Sequence, residues 1–242
     1  MSKAYKSQPA TPPVLRKLQF AIQGIDVWLC GLERTTDELI RASASLSPAE
    51  RVRAERFGTD ALRDRWIAGR ATLRLLLGNA LGIAPTAVVI RRGGRGRPEL
   101  GESGTVRDFN VSHTRDVALF AIARDLPDGA RIGADIERGD REVRADKLAR
   151  KFLTMREQAT LAQHDSDERR RLFLRYWTCK EAMSKATGDG LAAPFRRLDV
   201  ELDPSPRLRE GPSPYLAPHW ALHDAGAPEP WFATIAIWRR PP

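Results

Sequence analysis

Short apolar runs bounded by polar, Gly or Pro residues recur along the chain at Ile25 to Leu32, Ala87 to Arg91, Val117 to Ala123, Ile132 to Glu137, Leu198 to Leu202, Trp220 to His223 and Trp231 to Trp238. Runs of this length and flanking predict strands. Between them lie stretches with helical signals. Thr35 with Glu38 forms a capping-box pattern at the head of a helix to Leu46, and Ser47-Pro48-Ala49-Glu50 opens a second with a Ser cap and Pro at the first position. A longer helix from Asp60 to Leu81 carries Trp66, Leu73, Leu77 and Ala80 at helical spacing and stops at Gly82. Further helices are predicted from about Asp146 and from Asp167 to Thr187, the latter ending at Gly188. The Gly93 to Pro98 segment reads as a turn, and Pro204 to Pro218 as a loop.

The pattern mixes helices with antiparallel-type strands in a similar order on either side of Pro127-Asp128-Gly129, so an α+β fold is expected. The division expected is a disordered tail at residues 1–16, an N-terminal lobe at 17–128 and a C-terminal lobe at 129–242. With 242 residues, either one large domain or two lobes can bury a core.

A net charge of +9 calls for an anionic partner: nucleic acid, membrane surface, phosphorylated small molecule or acidic protein. Of the 40 basic residues 33 are Arg, with seven between Arg51 and Arg74 and four between Arg91 and Arg97. Aromatic residues do not cluster with these Arg runs, which argues against a nucleic-acid platform. Cys30 and Cys179 are far apart and lack zinc-ligand spacing, so both are read as buried thiols of a reducing compartment. No stretch is apolar over the roughly 18 to 20 residues a membrane span needs, and the N-terminus lacks a signal-peptide core; the expected location is cytoplasmic.

The candidate chemistry is concentrated in Asp135-Ile136-Glu137 and in Trp177 to Gly188. Strand side chains two apart share a face at roughly 6.5 to 7 Å, so Asp135 and Glu137 can reach one cation. Helical residues four apart are neighbours at roughly 5 to 6 Å, so Glu181 and Lys185 present an acid and an ammonium together. Taken singly, the first pair also reads as a solvated strand end and the second as an exposed helix ion pair. Taken together, three carboxylates and a lysine suit Mg²⁺ and a phosphate. Thr154 with Glu157 reads equally as a helix cap or as support for the site. Trp177 reads as a core anchor, and His219 with His223 as no metal site.

Phe109-Asn110-Val111-Ser112-His113-Thr114, Ile132 to Glu137, Phe152-Leu153-Thr154 with Glu157, and Trp177-Thr178-Cys179-Lys180-Glu181-Ala182 through Leu191 resemble, in order and spacing, the 4′-phosphopantetheinyl transferase superfamily. The resemblance is to its long, two-lobed type, which activates peptide and polyketide synthetases, and spans about Val27 to Leu191. It implies two similar α/β lobes in pseudo-twofold arrangement with the active site in the cleft between them. It also implies transfer of the phosphopantetheine arm of coenzyme A to a Ser of an apo acyl or peptidyl carrier protein, with Mg²⁺ as cofactor and adenosine 3′,5′-bisphosphate released. A monomer is expected, with no nucleic-acid or membrane partner.

By the same resemblance Asp135, Glu137 and Glu181 would hold Mg²⁺, Lys185 would stabilise phosphate charge, and Glu181 is also a general-base candidate in competition with a water. Ser112 and His113 would contact the 3′-phosphate, Arg53 and Arg65 the adenine and phosphate end. Arg97, which replaces the usual Lys of a Gly-Lys-Pro turn, would also contact a phosphate of coenzyme A. Glu50 departs from the family pattern, which often has a phosphate-facing Lys there, and its capping-box position gives it a structural role.

Overall fold

The structure is a computed structural model and describes residues 14–93, 95–101 and 104–240. Chain order begins with strands β1 (Arg16–Lys17) and β2 (Ile25–Gly31), then helices α1 (Thr36–Ala44), α2 (Pro48–Ala54) and α3 (Asp60–Leu81). Strands β3 (Ile90–Arg92), β4 (Pro98–Leu100), β5 (Asp108–Thr114), β6 (Val117–Ala123) and β7 (Arg131–Arg138) follow. Helices α4 (Ala145–Phe152), α5 (Met155–Ala162) and α6 (Ser166–Thr187) precede β8 (Asp199–Glu201), β9 (Arg207–Glu210), β10 (Trp220–Asp224) and β11 (Trp231–Trp238).

The helix boundaries follow local chemistry. Thr35 and Ser47 each accept from the amide three residues on, and Glu38 and Glu50 return the bond to the cap backbone, so both capping boxes are complete. The two 22-residue helices α3 and α6 both stop at a left-handed glycine, Gly82 at φ 70° and Gly188 at φ 82°.

Three expectations need correction. Residues 85–87 form a single 3-10 turn, so the predicted strand at Ala87 starts only at Ile90. The Pro-rich loop contains a strand, β9, paired with β8. Strand β5, which carries the Asn-x-Ser-His motif, was not anticipated from periodicity. Of the predicted tail, residues 1–13 lie outside the described residues, while Arg16 and Lys17 pair with Leu29 and Trp28.

Within each sheet all neighbours are antiparallel, in the orders β1-β2-β6-β5, β10-β11-β7, β3-β4 and β8-β9. The two larger sheets face one another. Val27, Leu29, Leu119 and Ala121 from the first meet Ile132, Ala134, Ile136, Ala233 and Ile235 from the second in one buried cluster. On its outer face the first sheet places Phe109, Phe120 and Ile122 against Leu73, Leu76 and Leu77 of α3. On the outer side of the second, Ala236 and Trp238 join Phe173, Cys179, Met183 and Ala186 of α6. The layers therefore run helix, sheet, sheet, helices, each sheet buried on both faces.

Where the sheets adjoin, β5 and β7 are joined by side chains rather than by a backbone ladder. Asp108 Oδ2 accepts from the Ile132 amide at 2.8 Å, and Asn110 Oδ1 from the Ala134 amide at 3.1 Å. Ser112 Oγ donates to Asp135 Oδ1 at 2.8 Å and Thr114 Oγ1 to Glu137 Oε2 at 3.2 Å. Four alternate residues of β5 thus form one polar seam. All four are buried, which explains why β5 lacks the usual hydropathy signature of a strand.

Candidate active site

Two elements carry the acids. On β7, odd and even residues diverge: Ile132, Ala134 and Ile136 enter the intersheet core, and Asp135 and Glu137 face the seam. Helix α6 lies directly on β7 because position 133 has no side chain; a Cβ there would overlap the carbonyl of Ala182. That close approach brings Lys185 to Asp135, with Nζ 2.7 Å from Oδ1 and 2.7 Å from Ser112 Oγ. Ser112, Asp135 and Lys185 form a closed triangle of polar atoms at the meeting point of β5, β7 and α6.

Glu137 is held from both sides, by Thr114 and by Arg141, whose Nη1 lies 2.5 Å from Oε1. Glu181 sits one turn before Lys185. Burial pushes its carboxyl up from 4.5 to about 7; the negative charge of Asp135 adds to the shift, Lys185 opposes it and Glu137 contributes further. A carboxyl raised by burial and then by two neighbouring carboxylates is short of compensating positive charge.

That deficit bears on a metal. Among the described residues no three His, Cys, Asp or Glu side chains are already gathered around one point. Mg²⁺, however, takes only one or two protein carboxylates and completes its octahedron with phosphate and water, so it does not need a closed protein cage. The hard oxygen donors of Asp135, Glu137 and Glu181, with their excess of negative charge, fit such an ion.

Ser112 and His113, expected to act together, point to opposite sides of β5. Ser112 joins the triangle with Asp135 and Lys185, whereas His113 lines a cavity of about 440 Å³ whose walls include Phe57, Arg65, Trp66, Arg70 and Val111. Burial lowers the His113 pKa, and the nearby Lys185 charge lowers it further against the pull of Asp135, which favours the neutral imidazole. A second cavity of about 270 Å³ has Lys185, Asn110, Gly188 and Arg95 in its wall and shares Pro98 and Val111 with the first. The two recesses adjoin across β5.

The remaining predicted residues divide. Arg65 lines the larger cavity. Arg53 is exposed, with its guanidinium 5.7 Å from the Trp66 ring centroid and in the wall of an adjoining recess with Glu50, Arg70 and Arg91. Arg97 is buried and committed to the protein. It pairs with both oxygens of Asp108 at 3.0 and 2.7 Å and donates to the carbonyls of Pro98, Phe109, Ile132 and Lys185. This guanidinium ties β5, β7 and α6 together, a role that a turn residue in sequence does not announce.

Glu50 and Glu157 are structural anchors. Burial alone raises Glu50, but hydrogen bonds from Arg74 and the Ser47 amide, with the Arg70 charge, hold it below the usual carboxylate range. Glu157 completes the Thr154 capping box, accepts the Val200 amide at 2.8 Å and pairs with fully buried Lys180 at 2.7 Å. Lys180 also donates to the carbonyls of Phe152 and Phe195, at 3.1 and 2.8 Å. The lysine before Glu181 therefore fastens α6 from behind. Trp177 packs among Phe152, Phe173 and Phe195 within α6 and not at its start.

Comparison with known proteins agrees with this arrangement. Residues 131–236 match the 4′-phosphopantetheinyl transferase superfamily, and residues 33–124 match the 4′-phosphopantetheinyl transferase N-terminal family. The chain is 34% identical over 217 residues to the 4′-phosphopantetheinyl transferase HetI of Nostoc sp., covering 88% of this chain and 87% of that one. It is 30% identical over 179 residues to a phosphopantetheinyl transferase of Thraustochytrium sp., covering 67% and 59% of the two chains. To the L-aminoadipate-semialdehyde dehydrogenase-phosphopantetheinyl transferase of Homo sapiens it is 28% identical over 177 residues, covering 69% and 56%. The two family matches together take in β5, β6, β7 and α6, and the match to HetI covers 88% of the chain, so the chain belongs to the 4′-phosphopantetheinyl transferase superfamily.

Proposed function

We propose that this transferase moves the 4′-phosphopantetheine moiety of coenzyme A to a serine hydroxyl of an apo acyl or peptidyl carrier protein, with Mg²⁺ bound, and releases adenosine 3′,5′-bisphosphate. The observation that carries this reading is that Asp135, Glu137 and Lys185 all lie within electrostatic reach of Glu181 where β7 meets α6, beside a cavity lined by His113 and Arg65. Mg²⁺ on Asp135, Glu137 and Glu181 would neutralise the pyrophosphate.

The chain's own residues supply the rest. Lys185 offers its ammonium to the charge that develops on the leaving phosphate. Glu181 is a candidate to take the proton of the attacking hydroxyl, in competition with a water. In the transfer, the serine oxygen bonds to the phosphorus bearing pantetheine and the bond from that phosphorus to the bridging oxygen breaks, so the electron pair leaves with adenosine bisphosphate. His113 and Arg65 would hold the nucleotide end in the larger cavity, with Arg53 at its rim. Ser112 would orient Lys185 and Asp135.

Two 22-residue helices, each ended by a left-handed glycine and each covering the outer side of one sheet, support the two-lobed pseudo-twofold reading. Because both walls of the proposed site come from one chain, a monomer suffices. Among the described residues no helix is long and apolar enough to cross a membrane.

Intact-mass spectrometry of a purified apo carrier protein incubated with this protein, coenzyme A and Mg²⁺ tests the proposal. A gain of one phosphopantetheine that disappears with chelator is expected. No gain on acyl or peptidyl carriers of fatty acid, polyketide or peptide synthesis would overturn it.

A further inference from the structure

Arg115 is the one residue other than glycine with a left-handed backbone among the described residues, at φ 47°. It occupies the tip of the β5–β6 hairpin, where Thr114 pairs with Val117 and only Arg115 and Asp116 form the turn. Such a turn favours Gly or Asn, and an arginine there is conformationally costly. A tip held in a costly backbone conformation is not shaped for stability alone, and residues held this way concentrate at ligand sites.

Its position says which ligand. Arg115 follows His113 by two residues on the odd-numbered side of β5, and both line the 440 Å³ cavity with Arg65 and Arg70. Arg70 is already paired with Glu50. The carboxylate of Asp140, whose pKa the Arg115 charge helps to lower, is held by Arg138 at 2.7 and 2.6 Å. Among the described residues Arg115 itself enters no hydrogen bond or ion pair, so its planar fork of donors is unspent. The even-numbered side of β5 carries Ser112 beside Asp135 and Lys185, where phosphoryl transfer is proposed. An anion reaching Arg115 is therefore a different phosphate from the one that reacts.

We propose that Arg115 is a binding residue for the 3′-phosphate of coenzyme A, acting beside His113. This rests on the reading of the protein as a coenzyme A-dependent transferase and adds a residue to it. A terminal phosphate dianion matches the bidentate guanidinium better than a bridging diester does. It would also give the unpaired guanidinium a counter-charge.

The test is calorimetric binding of coenzyme A and of 3′-dephosphocoenzyme A to the wild-type protein and to Arg115→Gly. Glycine accepts φ 47° without strain, so the variant should melt no lower than wild type, and a binding loss is then not a folding loss. Expected is a weakening of roughly tenfold or more for coenzyme A, with 3′-dephosphocoenzyme A changed less than about twofold. Arg115→Lys should recover only part of the affinity, because one ammonium replaces a fork. Equal losses on both ligands, or none on either, would overturn the assignment of Arg115 while leaving the transferase reading intact. A wild-type protein that binds neither ligand would overturn both.

Discussion

The Cα of Gly133 lies so close under the backbone carbonyl of Ala182 that no side chain fits between strand β7 and helix α6. Asp135 and Lys185 meet only because of that approach. Replacing Gly133 by Ala forces the backbones apart and should cost at least the ~1–3 kcal/mol typical of an overpacked core. Urea unfolding would read the loss. Transfer activity should fall beyond what the unfolded fraction explains, because the Lys185–Asp135 contact lengthens; a fully active, equally stable Gly133→Ala protein would contradict this account.

Glu181 makes a pH prediction with a definite sign. Its folded carboxyl is raised from 4.5 to about 7, so the native state holds more proton than the unfolded chain across that window. The contribution of Glu181 to the stability of the metal-free protein therefore falls as pH rises from 4.5 to 7, by at most about 3 kcal/mol. Glu181→Gln removes the penalty: it should raise the melting temperature at pH 8 and leave it little changed at pH 4.5. The same variant should lose most transfer activity. Added Mg²⁺ should stabilise wild type more at pH 8 than at pH 5.

Lys180 and Glu157 are both fully buried, and each has further backbone partners. Lys180→Met leaves a carboxylate in the core and should destabilise by about 3–5 kcal/mol, whereas the double change Lys180→Met with Glu157→Gln should be milder. Chemical denaturation of the three proteins measures the difference. A Lys180→Met protein as stable as wild type would show that the pair does not fasten α6.

Arg97 separates a structural tie from a ligand contact. Arg97→Ala strands Asp108 in the seam and should destabilise by roughly 3 kcal/mol or more. If that variant instead kept its stability and lost only coenzyme A affinity, the sequence-based expectation of a phosphate contact would stand and the tie would not.

Much of this was legible in the chain. Capping boxes at Thr35, Ser47 and Thr154 and the glycines at 82 and 188 placed the helices, because those signals are local and act within one turn. Asp135 and Glu137 were placed on a common strand face by period alone. Strand β5 escaped because its inward positions are Asp108, Asn110, Ser112 and Thr114, which invert the hydropathy of an ordinary strand. The burial of Arg97 escaped because Ile132 and Lys185, two of its partners, are 35 and 88 positions away. Ser112 and His113 were expected at one phosphate by resemblance, and the strand they share turns them to opposite faces. Arg115 left no trace in composition; only its backbone angle marks it.

The side-chain seam between β5 and β7 has a mechanical meaning. A backbone ladder is indifferent to sequence, but here cohesion of the two sheets is written into four replaceable side chains, two of which touch the proposed metal-binding acids. Ligand affinity and the resistance of the halves to parting thus draw on the same atoms. A cation drawing on Asp135 and Glu137 would therefore load the same joint.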